Sequence, residues 1–455
     1  MRRTWSLRQK MNLLEHALKI LVKYPLCDHC LGRQFAMLAR GTTNELRGYS
    51  IKLLLTMKAH LHIKEGRREE GLKILKILAS NGGFQPAENI LNKYGCRDVH
   101  GKIKCYICGN IFDETEEIVD EIVKKLSEYE YSTFLVGSKI PGEIAEREDK
   151  LRSEYKLNLG ESFKSEFNRF LGKIVQKKTG REVSFKKPDI VVLVDLTRKK
   201  VEVESKPLYI YGRYRKLVRG IPQSTWICSS CGGLGCPECN YTGRKYPTSI
   251  EEIISKPVLE LTMGESAVFH GAGREDVDAR MLGRGRPFVI EVKKPKRRFI
   301  DLKLLEEKIN ENGKGTVEVQ SLRFSSRMEV RKLKNLAPYT RKKYRLTVRV
   351  DGDLNEEMLK RLEEYFNGRE IKQRTPLRVL HRRADKVRIK KVYSVKCRRI
   401  SQSIFEVIIE CQGGLYVKEL VSGDEGRTKP SFSEILNMSA TCLELDVLDV
   451  EGLVS

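Results

Sequence analysis

The chain has 455 residues, enough for two or three domains with cores of their own. Its 86 Lys and Arg against 61 Asp and Glu give a formal charge of +25 and a pI near 9.5, the field of a polyanion binder. No apolar run reaches the ~18 residues of a spanning helix. The basic start Met1-Arg-Arg-Thr-Trp5 leads into an amphipathic stretch, Met11 to Val22, with Glu15 and His16 inside it, not into a signal peptide's apolar core. Nucleic acid therefore leads over a membrane as partner, and an intracellular, cytoplasmic protein is expected.

Residues 1 to about 110 read as helical, with apolar periodicity at Leu13, Leu14, Leu18 and Leu21 and again from Ile51 to Leu61. The twelve cysteines of a basic intracellular chain point to metal rather than disulfides, and eight fall in Cys-x-x-Cys pairs. Cys27/Cys30 and Cys105/Cys108 pair as one structural four-thiolate zinc site stapling this helical module, while Cys96 reads first as a lone buried thiol and second as a substitute ligand. From Glu116 to Gln223 the pattern turns mixed. A helix is predicted over Glu116 to Leu126, a strand at Tyr131 to Val136 and a helix at Ser162 to Gln176. A buried strand follows at Val191 to Val194, then a half-exposed one at Val201 to Glu204. An RNA-binding module would look like this.

Cys228, Cys231, Cys236 and Cys239 form a second candidate zinc site, similar to half of a cysteine-rich chaperone zinc finger, or else a reduced, metal-free connector. Four thiolates leave no open position for water, so neither zinc would be catalytic. The second cluster reads as a hinge, giving domains at 1–225 and 246–455 with a connector at 226–245. The fold class is α+β throughout.

Within the C-terminal domain the run Gly271-Ala-Gly-Arg-Glu-Asp276-Val-Asp278 to Pro287-Phe288 reads as a glycine-hinged strand. Alternation puts Arg274, Asp276 and Asp278 on one face and Glu275 and Val277 on the other. A carboxylate beside Arg274 would stay ionised, as a nucleophile or electrostatic stabiliser must; a surface loop with satisfied ion pairs would read the same way. Cations for RNA phosphates are Lys293, Lys294, Lys296 and Arg297 in one basic run, and Arg374, Arg378, Arg382, Arg383 and Arg388 in the segment Gln373-Arg-Thr-Pro to Arg388.

Gly273-Arg-Glu-Asp276 resembles the Gly-Arg-x-Asp signature of pseudouridine synthases. With the run to Phe288, the Gln373 to Arg388 segment, Gly212 to Gln223 and both cysteine clusters, nearly the whole chain resembles the archaeal and eukaryotic tRNA pseudouridine synthase family ten. The resemblance implies an N-terminal zinc-bearing, THUMP-containing domain that binds tRNA. It implies a C-terminal synthase domain on a central antiparallel sheet, which isomerises uridines 54 and 55 of the TΨC arm without an organic cofactor. It places the catalytic aspartate at Asp276 and the aromatic partner at Tyr344 of Lys342-Lys-Tyr, with Tyr339 close by. The cation falls on Lys418 of Gly414-Leu-Tyr-Val-Lys-Glu-Leu420, and a leucine beneath the base on Leu436. Arg274 or Lys418 would keep Asp276 charged. The chain is expected to act as a monomer on tRNA. A rival reading is a non-catalytic zinc-containing RNA-binding or processing factor. Methyltransferase and thiolation chemistries would need a Gly-x-Gly-x-Gly turn or a Ser-Gly-Gly-x-Asp-Ser loop, and the sequence has neither.

Overall fold

The structure, a computed structural model, describes residues 12–96, 103–336 and 338–451, without the side chain of Arg382. The basic start Met1 to Trp5 and the side chain of Arg382 lie outside the described residues. The chain divides into two units, Met1–Ser205 and Lys206–Ser455. No helix among the described residues is long and apolar enough to cross a membrane.

The first unit opens with five helices: α1 (Leu13–Lys23), α2 (Asp28–Arg33), α3 (Asn44–Lys64), α4 (Arg68–Ser80) and α5 (Gln85–Lys93). Asn12 caps α1 by accepting from the Glu15 amide, and Ala17, Ile20 and Leu21 bury the face that periodicity marks out. The second half packs α6 (Thr115–Leu126), α7 (Gly142–Glu154) and α8 (Phe163–Thr179) with a four-stranded sheet. Its strands are β1 (Thr133–Lys139), β2 (Glu182–Val183), β3 (Ile190–Asp195) and β4 (Lys200–Ser205), in the order β2-β1-β3-β4. Ser162 caps α8 from the place where the sequence predicts its start. Strand β3 is buried on one face only, with Leu193 left 37% exposed; the expectation of a strand covered on both sides fails there.

The second unit is built on a ten-stranded sheet. Its strands are β5 (Leu208–Lys216), β6 (Ser266–Gly271), β7 (Arg280–Lys293), β8 (Val317–Phe324), β9 (Arg341–Val350), β10 (Glu370–Arg374), β11 (Val387–Arg399), β12 (Ile404–Gln412), β13 (Thr428–Lys429) and β14 (Ala440–Val450). The order is β13-β10-β11-β12-β9-β14-β7-β5-β8, with β6 added on β7. Every pairing is antiparallel except β14 with β7. Helices α9 (Ile250–Thr262), α10 (Leu302–Asn312), α11 (Arg327–Leu336), α12 (Glu356–Phe366), α13 (Val417–Ser422) and α14 (Phe432–Leu436) complete the unit.

Two sequence expectations change here. The division falls at Ser205/Lys206, because β5 is hydrogen-bonded between β7 and β8 and so belongs to the large sheet. The second cysteine loop, which lies between β5 and α9, is therefore an excursion of this unit and not a hinge between domains. The expected strand through Gly271 to Phe288 is two paired strands, β6 and β7, with residues 272–279 as the loop between them.

Candidate active site

The loop 272–279 is fixed from beneath. Gly273 has φ +79°, a conformation that favours glycine, and a Cβ there would lie 3.2 Å from Lys342 Nζ and 3.3 Å from Arg286 Nη1, a tight fit against two side-chain ends. Glu275 turns inward, on the side opposite Asp276, and meets Arg286 Nε at 2.8 Å with both side chains 1% exposed. Tyr214 donates its hydroxyl to the same carboxylate at 2.8 and 3.0 Å, and Arg286 Nη1 donates to Ala272 O at 2.8 Å. Gln223 Nε2 donates to Gly273 O at 3.0 Å and to the Tyr214 hydroxyl at 2.7 Å. Lys216 Nζ donates to Ile221 O, Asp276 O and Val277 O. Buried polar groups with this many partners give a loop one geometry.

Asp276 stands on that base, half-buried, between two cations. Arg378 Nη1 reaches Oδ1 and Nη2 reaches Oδ2, both at 3.3 Å, and Lys418 Nζ lies 3.7 Å from Oδ2. Lys418 is closer to Asp278, at 2.6 Å. Burial pushes the Asp278 carboxyl up, but the hydrogen bond and charge of Lys418 outweigh it, and the net shift is downward. Arg378 is itself anchored by Glu419 at 2.5 Å. The entry to α13, the helix that carries Lys418, is set by Gln373, whose side chain accepts from the Tyr416 amide and donates to the Tyr416 carbonyl. Arg274 plays no part in this: its guanidinium lies 5.5 Å from the Trp226 ring centre, and among the described residues it makes no ion pair with Asp276.

Asp276 opens on a cavity of about 550 Å³. Leu415, Val417, Leu445, Val447 and Val379 line its apolar part, Tyr344 and Lys342 stand in its wall, and Arg383, Arg388 and Lys390 reach it as cations. Strand β9 explains the wall, since Lys342, Tyr344, Leu346, Val348 and Val350 alternate onto its buried face. Burial raises the Tyr344 phenol above its ordinary range. Burial, and then the neighbouring Arg286, lowers the Lys342 ammonium to about 8. A carboxylate between two cations, facing a cavity with an apolar part and a tyrosine in its wall, can attack or deprotonate a planar, polar ring-bearing substrate.

Residues 209–451 match the family model described as Pus10, C-terminal, and residues 118–195 match that of the archaeal Pus10 THUMP domain. The tRNA pseudouridine synthase Pus10 of Methanocaldococcus jannaschii is 46% identical over 440 residues, covering 95% of this chain and 93% of that protein. The chain belongs to the Pus10 pseudouridine synthase family. The Thermofilum pendens tRNA pseudouridine synthase Pus10 is 43% identical over 432 residues, covering 95% and 94%. A chain in the crystal structure of a Cbf5-Nop10-Gar1 complex overlaps 52% of this chain and 48% of its own length, with 16% identity and a TM-score of 0.29.

Within this Pus10 framework the predicted residues separate. Asp276, Tyr344, Lys418, Arg274, Arg378, Arg383 and Arg388 line one cavity. Tyr339 is 71% exposed and Leu436 is packed in the core; neither lines the cavity, where Leu415 and Leu445 are the leucines. Arg374 is paired with Asp385 at 2.8 Å outside the cavity. The run Lys293, Lys294, Lys296 and Arg297 does not border the cavity either. Gly271 pairs with Phe288 while Ser266 pairs with Lys293, so the run begins about 17 Å further along β7, at about 3.4 Å per residue. Lys294 is taken by Glu265 at 2.6 Å.

Both cysteine clusters have metal geometry. Cys27, Cys30, Cys105 and Cys108 converge in the first unit, and Cys228, Cys231, Cys236 and Cys239 in the second, with ligand atoms within 4.8 Å of one another. A tetrahedral zinc with sulfurs at about 2.3 Å sets them about 3.8 Å apart. The Sγ pairs Cys27/Cys108, Cys228/Cys236, Cys231/Cys239 and Cys236/Cys239 stand at 3.7, 3.9, 3.8 and 3.7 Å. Amides of Gly235 and Gly243 point at Cys231 and Cys239 at 3.2 Å, as thiolate ligands require.

Sequence reasoning missed Lys342, Glu275 with Arg286 and Tyr214, Gln223 and Leu445, and gave Arg378 to RNA rather than to Asp276. For Lys342 the signal was present: it lies two positions before Tyr344 on an alternating strand. Arg286 and Tyr214 meet Glu275 only through the pairing of β5 with β7, which no local pattern reports.

Proposed function

We propose that the chain isomerises uridine to pseudouridine in the TΨC arm of tRNA, at positions 54 and 55, with Asp276 as the acting carboxylate. What carries this reading is Asp276 itself, held between Arg378 and Lys418 at a cavity with an apolar part and Tyr344 in its wall. The reaction breaks the N1–C1′ bond, turns the base, joins C5 to C1′ and moves the C5 proton, without redox change. It needs one carboxylate, a pocket and a proton acceptor, and no organic cofactor. Asp276 acts at the sugar as nucleophile or base, and Arg378 and Lys418 keep it ionised. Tyr344 stacks on the uracil and takes part in removal of the C5 proton. Leu415, Leu445 and Val417 receive the flipped base; flipping costs a few kcal/mol, which stacking and phosphate contacts offset. Arg274, Arg383, Arg388 and Lys390 face the phosphates at the cavity, where the net charge of +25 draws the RNA in.

The ions at both cysteine clusters are zinc and structural, each stapling its own unit. The protein acts as a monomer in the cytoplasm. Asp276→Asn tests the reading: tRNA binding retained with no pseudouridine supports it. Wild-type-level product from the variant rejects the assignment of the carboxylate.

A further inference from the structure

Trp226 lies between the catalytic loop and the second cysteine cluster and takes no part in the chemistry above. On one side, Gln223 ties this segment to Gly273 and Tyr214. On the other, Trp226 begins a short ladder that closes the cysteine loop: Lys245 N donates to Trp226 O at 2.9 Å, Ile227 bridges Arg244, and Cys228 N donates to Gly243 O at 2.9 Å. The ladder joins the cysteine loop to the backbone of Trp226.

What surrounds the indole is unlike a core. Arg274, which lines the cavity two residues before Asp276, lies 5.5 Å from the ring centre, and Lys245 Nζ lies 5.6 Å from it. Tyr246 meets it edge-on, with centroids 5.5 Å apart. The indole remains half-exposed, and the same loop displays Ile227, Leu234 and Tyr241 at 63%, 94% and 75% exposure. Arg274 and Lys245 pair with no acid among the described residues, and aromatic and apolar faces interleaved with such cations are the chemistry of a surface for unpaired nucleotides, whose bases stack while the cations meet phosphates. An apolar protein partner would leave Arg274 and Lys245 desolvated without anions.

We propose that the base of the second cysteine loop is an RNA-binding platform beside the cavity, on which Trp226 stacks against an unpaired base neighbouring the nucleotide bound at Asp276. The proposal rests on the RNA-substrate reading above. Trp226 is a positioning residue: it places the RNA and touches no reacting atom.

The chain has two tryptophans, Trp5 and Trp226, so Trp5→Phe in the full-length protein leaves Trp226 as the only indole. An unmodified tRNA transcript is titrated onto this protein carrying Asp276→Asn, which blocks turnover, and emission is followed alongside filter binding. The expected result is a saturable quench with the same midpoint as binding. In the catalytically intact chain, Trp226→Ala should raise Kd and KM about tenfold, within the range for removal of one base–aromatic stack. The single-turnover rate at saturating RNA should change by no more than about twofold. Trp226→Phe, which keeps a ring, should recover most of the affinity and shows that the alanine effect is not misfolding. The proposal is overturned if RNA binds and product forms while the emission is unchanged and Trp226→Ala binds like the parent. Emission that tracks protein concentration rather than RNA also overturns it, in favour of association between copies. Absence of both binding and product removes the RNA reading, and the platform with it.

Discussion

Glu275→Ala probes the foundation of the site while leaving Asp276 in place. Glu275 and Arg286 are each 1% exposed and 2.8 Å apart, and Tyr214 donates twice to the same carboxylate. Removing the acid leaves a guanidinium uncompensated in the core and a phenol without an acceptor. Breaking a buried pair from one side costs about 3–5 kcal/mol. The orphaned hydroxyl acts within the same cluster, so its cost of about 1–3 kcal/mol overlaps this figure and does not add to it. Glu275→Gln keeps shape and an acceptor and should cost less. Glu275→Leu with Arg286→Met removes both charges and should regain most of the stability. Urea unfolding of the Trp5→Phe protein, followed by Trp226 emission, reads the second unit alone; m-values show whether the transition stays two-state. Turnover should fall with stability, because Ala272 and Gly273, which Arg286 and Gln223 bind, lead directly into Asp276. A cost under about 1 kcal/mol for Glu275→Ala with normal turnover would refute the claim that this pair fixes the loop that carries Asp276.

Lys342, lowered to about 8 by burial, binds fewer protons folded than unfolded between that value and its ordinary 10.5, so its contribution makes stability rise with pH across that window. Lys342→Met should flatten the rise relative to the parent, measured by denaturation at stepped pH, and an unchanged slope would show the ammonium to be solvated. Atomic absorption should find two zinc ions per chain, and Cys105→Ser with Cys108→Ser should remove one and destabilise the first unit selectively. Replacing Arg383 and Arg388 should reduce the slope of log K against log salt by about one for each phosphate no longer neutralised, whereas replacing Lys293 and Lys294 should leave it close to the parent's.

Local patterns carried the elements and the chemistry. The helices around Cys27, the strand from Ile190 and the alternation of Tyr344, Leu346, Val348 and Val350 were all legible, since each depends on residues a few positions apart. That Glu275 faces away from Asp276 was legible too, although the strand assumed for it is a loop and its burial was not foreseen. Of the two cations beside Asp276, Lys418 was named through the family resemblance and Arg378 was not. Arg274 is its neighbour in sequence, but a side chain two residues away in a loop is free to turn outward, and Trp226 stands there to meet it. Arg378 and Lys418 arrive from beyond β10 and from α13, brought in by the order of the large sheet and by Gln373's grip on Tyr416. Leu436 sits where helical spacing puts a core leucine, while Leu445 reaches the cavity from β14. Charge runs were the weakest guide, because charge alone does not say which end of a strand it occupies.

Catalysis by Asp276 is tested most directly by incubating the purified protein with an unmodified tRNA transcript, without organic cofactor. Pseudouridine is then mapped by carbodiimide-dependent primer extension, with Asp276→Ala in parallel. Product is expected at the T-arm uridines from the parent, and none from the variant at undiminished tRNA binding. Intact, tRNA-binding parent that yields no pseudouridine at any uridine across temperature and salt would contradict the synthase reading.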